Sequence, residues 1–279
     1  MRIAVTGAGG FIGRALMQVK SDYHQLMALD LRRMSASDTY LTDTPKPDHI
    51  LHLAGKTFVP DSWKNPKEFY ETNLMGTQQV LDYCVSTGAS LTFVSSYVYG
   101  LPEQLPISEN HPVAPNTPYN HSKWMGELLC EFYSSNFKVD VAVLRPFNIY
   151  GCHQSPSFLI PTILGQLKQS NQIQVQSLLP RRDYLYIDDF VEALLLTAGY
   201  KGFGRFNMGF GSSLSVAEIV DLCIAVSGKK DVQVTSADMN RENEVMDVVA
   251  DISLFNQTFS WSPRISMTEG LTKMWLGKC

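Results

Sequence analysis

The stretch Ala4-Val5-Thr6-Gly7-Ala8-Gly9-Gly10-Phe11-Ile12-Gly13 decides the fold of this chain. It joins an apolar run, typical of a buried strand, to a segment with helical spacing that begins at Phe11. A tight turn requires a residue without a β-carbon, which is Gly7, and close approach of the backbone to a phosphate requires Gly10. Gly13 lets the helix pack closely on the strand. The stretch therefore predicts a strand–turn–helix unit whose helix N-terminus binds the phosphates of a dinucleotide.

An acidic residue in the right place supports this interpretation. Asp30 ends the second predicted strand, Gln25 to Asp30. A carboxylate there accepts hydrogen bonds from the ribose hydroxyls of adenosine and repels a 2′-phosphate. We therefore expect NAD as the cofactor, although Arg32 and Arg33 keep NADP possible because guanidinium groups bind phosphate well.

Apolar strands alternate with helical segments through the first half of the chain, which predicts an α/β fold with a doubly wound parallel sheet. We expect this dinucleotide-binding Rossmann domain to span residues 1–150 with 184–206. The remaining residues, 151–183 and 207–279, are expected to form a smaller C-terminal substrate-binding cap. The segment 31–47 is too short for a strand and a crossover helix, so we expect a loop or one short strand there.

The composition excludes several classes of protein. Of 279 residues, 44% are hydrophobic and 18% are charged, and the formal net charge of −4 comes with no basic run. These values argue against a nucleic-acid partner. The apolar runs are too short to span a bilayer, so no membrane partner is expected. The five cysteines are scattered without a CxxC pair, which predicts reduced thiols, a cytoplasmic location and no metal site.

A second group of residues predicts the chemistry. Tyr119 and Lys123 are four residues apart on a predicted helix, so they share a face. An ammonium near the phenol stabilises the phenolate and lowers its pKa, which makes tyrosine a usable acid or base. Ser95 follows a predicted strand, where its hydroxyl can bind the reacting oxygen. We therefore predict Ser95, Tyr119 and Lys123 as catalytic residues.

Taken together, the motifs resemble the extended short-chain dehydrogenase/reductases of the NAD-dependent epimerase/dehydratase type. They occur in the family's order along nearly the whole chain and are Gly7-x-x-Gly10-x-x-Gly13, Leu53-Ala54-Gly55, Asn73-x-x-Gly76-Thr77, Ser95-Ser96-Tyr97-Val98-Tyr99-Gly100, Tyr119-x-x-x-Lys123, Arg145-Pro146-Phe147-Asn148, Arg182-Asp183-Tyr184-Leu185-Tyr186-Ile187-Asp188-Asp189, Phe206-Asn207-Met208-Gly209 and Trp261-Ser262-Pro263. The resemblance implies a Rossmann sheet with a cap that binds a nucleoside-diphosphate sugar.

The resemblance also implies roles for individual residues. The expected cofactor-binding residues are Gly7, Gly10, Phe11, Ile12, Gly13, Asp30, Leu53, Ala54, Gly55, Asn73, Tyr119, Lys123 and Pro146. The expected substrate-binding residues are Ser96, Asn148, Arg182 and Arg241. Arg241 lies in Asn240-Arg241-Glu242-Asn243, which departs from the family's usual Arg-Pro-Gly-Asp. The nucleotide pocket of this chain can therefore differ from the family's.

Several reactions remain open within the family. Dehydratases that resemble this pattern place Asp-Glu where this chain has Ser96-Tyr97, so dehydration is disfavoured. The segments Asp61-Ser62-Trp63 and Cys152-His153-Gln154-Ser155 resemble the 4-keto-6-deoxymannose reductases, whereas the triad and Asn148 equally suit a hexose 4-epimerase. A non-catalytic sensor of the dinucleotide is a further alternative, but such proteins commonly lose the tyrosine or the lysine.

The helical regions 65–87 and 118–135 predict a homodimer. Both carry apolar residues on more than one helix face, so a second protein surface must cover the face that does not pack on the sheet. These residues are Phe69, Leu74 and Val80 on the first and Trp124, Met125 and Leu128 on the second. In the family the two helices pair across a two-fold axis.

Overall fold

A computed structural model describes residues 1–31, 46–237 and 245–278. The strands are β1 Arg2–Thr6, β2 Gln25–Leu29, β3 His49–His52, β4 Ser90–Val94, β5 Val141–Pro146, β6 Asn148–Tyr150, β7 Gln172–Val175, β8 Arg181–Tyr186, β9 Phe203–Met208, β10 Ser213–Ser215 and β11 Gln233–Ser236. The helices are α1 Phe11–Met17, α2 Val59–Lys64, α3 Pro66–Phe69, α4 Gly76–Thr87, α5 Pro118–Phe137, α6 Leu159–Gln169, α7 Ile187–Leu196, α8 Val216–Ser227, α9 Ser253–Phe259 and α10 Met267–Leu276, with a π-helical segment at Tyr70–Met75.

Six strands form a parallel central sheet in the order β2-β1-β3-β4-β5-β9, which confirms the predicted α/β fold. β3 and β4 are buried along their whole length. This agrees with their nearly continuous apolar sequence, because strands covered by helices on both faces do not alternate with polar residues. The strand order reverses at β1, which pairs with β2 on one side and β3 on the other. Loops at the carboxyl ends of β1 and β3 therefore flank a crevice of the kind that binds ligands.

The chain divides into two compact units. Unit 1 comprises residues 1–100, 112–146 and 191–207, and unit 2 comprises 101–111, 147–190 and 208–278 of the described chain. The division differs from the expected one at 101–111, 147–150 and 184–190, which all belong to unit 2, and at Asn207, which belongs to unit 1. The reason is pairing within unit 2, where β6 joins β8 and Ile107 bonds to residues 249 and 251.

Unit 1 contains the central sheet and its helices. Side chains of β3, β4 and β5 pack with α4 and α5 in one core cluster. The predicted helix over 65–87 is present but divided, since α3 and α4 are separated by the π-helical segment. The predicted helical region 118–135 agrees with α5, whose first turn is capped by the Thr117 side chain accepting from the backbone N–H of Asn120.

Unit 2 contains a three-stranded sheet, β10-β8-β6, and a two-stranded sheet, β11-β7. Two of its helices begin with the same sequence device. Ser215 and Glu218 at the start of α8, and Ser266 and Glu269 at the start of α10, form capping boxes. In each box the serine and the glutamate satisfy two backbone donors that the first turn leaves unpaired. The short strands β6, β8 and β10 were not predicted as a sheet.

The sequence also led to expectations about the cysteines, the segment 31–47 and membrane-spanning helices. Cys84, Cys130 and Cys223 are buried free thiols, as predicted, but Cys152 is disulfide-bonded, so the prediction of reduced thiols is wrong there. The expected loop over 31–47 falls almost entirely outside the described residues. Within the described ranges, no helix is long and apolar enough to cross a membrane.

Candidate active site

The turn after β1 has the geometry that the glycine spacing predicted. Gly7 has a φ of +70°, and a β-carbon there would lie 2.7 Å from the backbone nitrogen of Ala54. A β-carbon on Gly13 would collide with the Gly7 carbonyl oxygen. Helix α1 begins after Gly10 without a side-chain cap, so the first-turn N–H groups of Phe11 and Ile12 lack an intrahelical partner. These features fit a dinucleotide pyrophosphate, because the backbone can approach it closely and donate to it.

The loop after β3 meets the helices beside this turn. A β-carbon on Gly55 would lie 2.9 Å from Asn73 Oδ1 and 3.4 Å from Lys123 Nζ. The structure thus brings together Gly55, Asn73 and Lys123, three of the residues predicted for the cofactor. Leu53 and Ala54 precede Gly55 and contact the Gly7 turn.

Asn73 lies in the π-helical segment and is almost completely buried. Its Oδ1 accepts from the backbone N–H of Lys56 at 2.8 Å, and its Nδ2 donates to the Lys56 carbonyl at 3.1 Å and to Ser122 Oγ at 2.9 Å. One carboxamide therefore fastens the loop after β3 to helix α5. In this structure Asn73 therefore positions the loop that carries Gly55 and the helix that carries Lys123.

His52 is a buried core histidine. Its Nδ1 lies 2.7 Å from Thr6 Oγ1 and its Nε2 lies 3.1 Å from Thr77 Oγ1. Burial, with a smaller contribution from Lys123, lowers the pKa of His52 to about 3. The imidazole is therefore neutral at physiological pH, and it links β1 to α4 through the hydroxyls of Thr6 and Thr77.

Lys123 is buried at the carboxyl end of β4. Its Nζ donates to the Val94 carbonyl at 2.7 Å and lies 4.8 Å from the centre of the Phe93 ring. Burial lowers the pKa of Lys123 to about 8, although Cys130 and Glu127 act to raise it. The side chain thus remains an ammonium at neutral pH in a site with little water.

Tyr119 lies in the first turn of α5, with its ring against the edge of Phe69 at 6.3 Å between centroids. Burial raises the pKa of Tyr119 to about 12, and a contact with the Ser96 hydroxyl acts in the opposite direction. The expected lowering of this pKa by Lys123 is not seen in the structure. The phenol is therefore protonated at neutral pH.

The two serines after β4 have different surroundings. Ser95 Oγ donates to Glu127 Oε1 at 2.6 Å. The Ser96 hydroxyl faces Tyr119 closely enough to affect its pKa, and its buried oxygen forms no hydrogen bond of good geometry within the described chain. The structure thus brings Tyr119 together with Ser96, and it places Ser95 elsewhere.

Glu127 belongs to a buried charge network that was not predicted from the sequence. Its carboxylate accepts from Arg145 Nη2 at 2.6 Å and from Arg205 Nε at 3.1 Å. Arg145 also donates to the hydroxyl of Tyr99 at 2.8 Å. A signal was available, because Glu127 is four residues after Lys123 and eight after Tyr119, on the same helix face. A carboxylate on a face that points to the core requires a partner.

Two of the predicted substrate residues lie in unit 2, on adjacent strands. Asn148 in β6 donates through Nδ2 to the Asp183 carbonyl at 3.0 Å. Arg182 in β8 donates through Nη1 to the carbonyls of Arg181 and Val245 at 2.8 and 2.6 Å. Asp183 is buried and accepts backbone N–H groups from Phe210, Gly211 and Ala250, which holds the start of β8 in place.

Three further residues were predicted to bind the cofactor or the substrate, namely Pro146, Asp30 and Arg241. Pro146 ends β5 and Asp30 directly follows β2, both at the carboxyl edge of the central sheet. Arg241 lies outside the described residues, so its predicted substrate contact remains a prediction.

Comparison with known proteins identifies the family of this chain. A model of the NAD dependent epimerase/dehydratase family matches residues 3–209. The GDP-6-deoxy-D-mannose reductase of Pseudomonas aeruginosa is 29% identical over 289 residues, covering 97% of this chain and 94% of that protein. The putative UDP-glucose 4-epimerase of Methanocaldococcus jannaschii is 27% identical over 302 residues, covering 98% and 96% respectively.

A solved structure gives the same result at the level of the fold. RMD from Pseudomonas aeruginosa, complexed with NADPH, matches with a TM-score of 0.89 at 28% identity, covering 99% of this chain and 97% of that one. The family model covers well over half of the chain and includes the glycine-rich turn, Tyr119 and Lys123. The chain therefore belongs to the NAD-dependent epimerase/dehydratase family of extended short-chain dehydrogenase/reductases.

Proposed function

We propose that this protein is an NAD(P)-dependent enzyme that acts at C4 of a nucleoside-diphosphate sugar, by 4-keto reduction or by 4-epimerisation. The observation that carries the proposal is the placement of Lys123 at the carboxyl end of β4 beside Gly55, with Tyr119 one turn earlier in the same helix and facing Ser96. The curated reductase and epimerase relatives support the substrate class.

The residues that would hold the dinucleotide are those of the turn and the neighbouring loops. Backbone N–H groups of Phe11 and Ile12 would bind the pyrophosphate, and Asp30 the adenosine ribose. Gly55 leaves room for the backbone path between Asn73 and Lys123. When bound, the nicotinamide supplies or accepts a hydride.

The protein's own residues would handle the proton that accompanies this hydride. Tyr119 would donate its phenolic proton to the sugar oxygen in reduction, or accept a proton from it in oxidation. The buried ammonium of Lys123 would stabilise the negative charge that then develops on the phenol. A serine hydroxyl would hold the sugar oxygen within reach of the phenol.

Reduction requires Tyr119 to donate a proton to the sugar oxygen, and epimerisation requires it to accept a proton and then return it, so both reactions use the same residues. Product analysis of the pure protein with GDP-, UDP- and dTDP-linked 4-keto and 4-hydroxy sugars, and with both cofactors, would separate the reactions. Absence of turnover on every sugar would instead favour a non-catalytic sensor.

Asp30 should make NAD(H) bind more tightly than NADP(H). A carboxylate facing a 2′-phosphate costs on the order of several kcal/mol in repulsion. Isothermal titration with both dinucleotides measures the preference, and Asp30→Asn should reduce it while leaving NAD(H) binding largely intact. The NADPH seen with the Pseudomonas structure makes this comparison informative. Equal or tighter binding of NADP(H) to the wild type would overturn the prediction.

Arg182→Ala should weaken sugar-nucleotide binding by roughly 2–5 kcal/mol, the range for removing one buried member of a charge pair, here the partner of the diphosphate. Dinucleotide affinity should remain close to wild type. Arg181→Ala is the matched control, because Arg181 is paired with Glu218 at 2.9 Å and should not affect either ligand. Titration calorimetry with both ligands tests this. Parallel loss of both affinities in Arg182→Ala would indicate a structural role.

We also propose a homodimer formed through α4 and α5. Phe69 and Val80, expected to contribute, are buried within unit 1 and cannot. The exposed large apolar residues on these helical segments are Met75, Val85, Leu128, Phe132 and Phe137. Light scattering at micromolar concentration should give twice the chain mass, and Leu128→Glu should give a monomer. Leu276→Glu, on an exposed position of α10, is the control and should remain dimeric. A monomeric wild type would contradict the proposal.

A further inference from the structure

Asp183 is a buried residue whose carboxylate joins three segments of unit 2. It has no exposure to water. Its Oδ1 accepts from the backbone N–H of Phe210 at 2.6 Å, and its Oδ2 accepts from the backbone N–H groups of Gly211 and Ala250, both at 3.0 Å. One side chain therefore fastens β8 to the loop between β9 and β10 and to the segment that contains Ala250.

The loop between β9 and β10 lies directly against this carboxylate. A β-carbon on Gly209 would lie 2.6 Å from Asp183 Oδ2 and 2.7 Å from the β-carbon of Ala250. Both distances are too short for a real contact of a β-carbon. Only glycine at this position therefore allows the loop to approach the carboxylate so closely.

The side chain of Asp183 is ionised at neutral pH. Burial raises its pKa to about 6, while the hydrogen bonds from the backbone N–H groups of Ala250, Phe210 and Gly211 act to lower it. A carboxylate has two acceptor oxygens and no donor, so it can pair with all three N–H groups at once. A carboxamide of the same size has one acceptor oxygen, and its NH₂ group cannot pair with an N–H donor.

Asp183 also lies between the two residues that are predicted to bind the substrate in unit 2. Its carbonyl accepts from Asn148 Nδ2 at 3.0 Å, which orients the Asn148 carboxamide. Arg182 precedes it in β8 and donates through Nη1 to the Val245 carbonyl at 2.6 Å. The orientation of both side chains thus depends on where β8 and the segment that carries Val245 lie.

The segment that carries Val245 is attached to β8 at two further points. The backbone N–H of Arg181 donates to the Met246 carbonyl at 2.8 Å. Farther along the segment, the backbone N–H of Ala250 donates to Asp183 Oδ2. A change of side chain at residue 183 can remove the second attachment and leave the first, which joins backbone to backbone.

We propose that Asp183 is a positioning residue for substrate binding: it holds the Val245 segment and the Asn148 carboxamide so that Arg182 and Asn148 are oriented towards the sugar nucleotide. The inference rests on the proposed function for its ligand. Asp183 itself does not contact the ligand in this assignment, because its carboxylate is buried and accepts from three backbone N–H groups.

The test compares Asp183→Asn with Asp189→Asn. Asp189 is a matched control, because it is also a buried aspartate of unit 2, and its Oδ2 accepts from the backbone N–H groups of Arg264 and Ile265 at 3.1 and 2.9 Å. Both substitutions leave buried N–H groups poorly paired, so both should lower the melting temperature by about 2–8 °C.

The two variants should differ in ligand binding, measured by titration calorimetry with UDP-glucose, GDP-mannose and dTDP-glucose. Asp183→Asn should weaken binding of whichever sugar nucleotide the wild type binds by about 10–10²-fold, the effect of displacing binding groups by about 1 Å. Asp189→Asn should leave this affinity near that of the wild type, and neither variant should change the affinity for NAD(H). Wild-type sugar-nucleotide affinity in Asp183→Asn would overturn the inference.

A double variant shows whether Asp183 acts through Arg182. In the Arg182→Ala background, Asp183→Asn should weaken sugar-nucleotide binding by a smaller factor than it does alone, because the group that it positions is already absent. Losses that simply add would mean that Asp183 does not position Arg182, and would refute the role.

Gly209→Ala tests the same attachment from the opposite side if Asp183→Asn does not fold. Its β-carbon would displace the loop from the carboxylate, so it should also weaken sugar-nucleotide binding. Gly165→Ala, in α6, is its control because a β-carbon there would meet no neighbouring atom within 4 Å. The inference is refuted if Gly209→Ala binds the sugar nucleotide as tightly as Gly165→Ala does.

A further readout does not require a ligand. If the carboxylate holds the Val245 segment against β8, Asp183→Asn should speed hydrogen exchange at the backbone amide of Arg181, which donates to Met246, and Asp189→Asn should not. Unchanged exchange at Arg181 would contradict the inference. A wild type that binds none of the three sugar nucleotides would instead overturn the proposed function, while this measurement still decides whether Asp183 holds the segment.

Discussion

Tyr119→Phe should lower kcat by about 10²–10⁴-fold, the usual contribution of a positioned acid or base. The substitution removes the hydroxyl that faces Ser96 but keeps the ring that packs on Phe69. Because packing is preserved, the melting temperature and dinucleotide affinity should remain close to wild type. The measurement is turnover on whichever sugar nucleotide the wild-type enzyme accepts.

Two further variants define what this result means. Lys123→Met should reduce both kcat and dinucleotide affinity, because Lys123 lies against the Gly55 loop as well as at the end of β4. Tyr70→Phe is a matched control, since the Tyr70 hydroxyl already pairs with the exposed His121 at 3.1 Å. Near-normal turnover by Tyr119→Phe would falsify the acid–base assignment and favour the non-catalytic sensor.

Arg145→Met should lower the free energy of unfolding by about 3–5 kcal/mol, the range for removing one member of a buried ion pair. The Arg145 side chain is 1% exposed and the Glu127 side chain 0% exposed, so neither charge is solvated by water. Without Arg145, Glu127 retains Arg205 and Ser95 as partners among the residues that the structure describes. Urea unfolding followed by circular dichroism gives the change.

Two control variants test whether the loss of stability comes from leaving a buried charge unpaired. Lys201→Met breaks the exposed pair with Asp140 and should cost less than about 1 kcal/mol. The double variant Glu127→Leu/Arg145→Met should recover part of the stability lost in Arg145→Met, since no unpaired charge is left in the core. A loss below 1 kcal/mol for Arg145→Met alone would show that the network contributes little.

The parallel sheet and the phosphate-binding turn were predictable because both depend on local patterns. Continuous apolar strands and the spacing of Gly7, Gly10 and Gly13 leave few alternatives. The sheet of β6, β8 and β10 was not predictable in the same way. Its strands are short and come from distant parts of the chain, so their pairing depends on tertiary contacts that no local window contains.

The roles of single site residues also depend on tertiary contacts, so the sequence predicts only some of them. Tyr119 and Lys123 are recognisable from their helical spacing, and the structure places them near the end of β4 as expected. The sequence cannot distinguish Ser95 from Ser96, because the difference lies in which hydroxyl reaches Glu127. It also could not reveal how strongly burial raises the pKa of Tyr119, since that depends on the packing around the phenol.

The π-helical segment Tyr70–Met75 makes this part of the chain sensitive to length as well as to composition. Within it, Asn73 binds the loop after β3 and Ser122 of α5 at once. Each residue turns an α-helix by about 100°, so deleting one residue here would rotate everything on one side of the deletion relative to the other. Related sequences should therefore tolerate substitutions between residues 70 and 75 far better than insertions or deletions, and an alignment gap there would signal a site assembled differently.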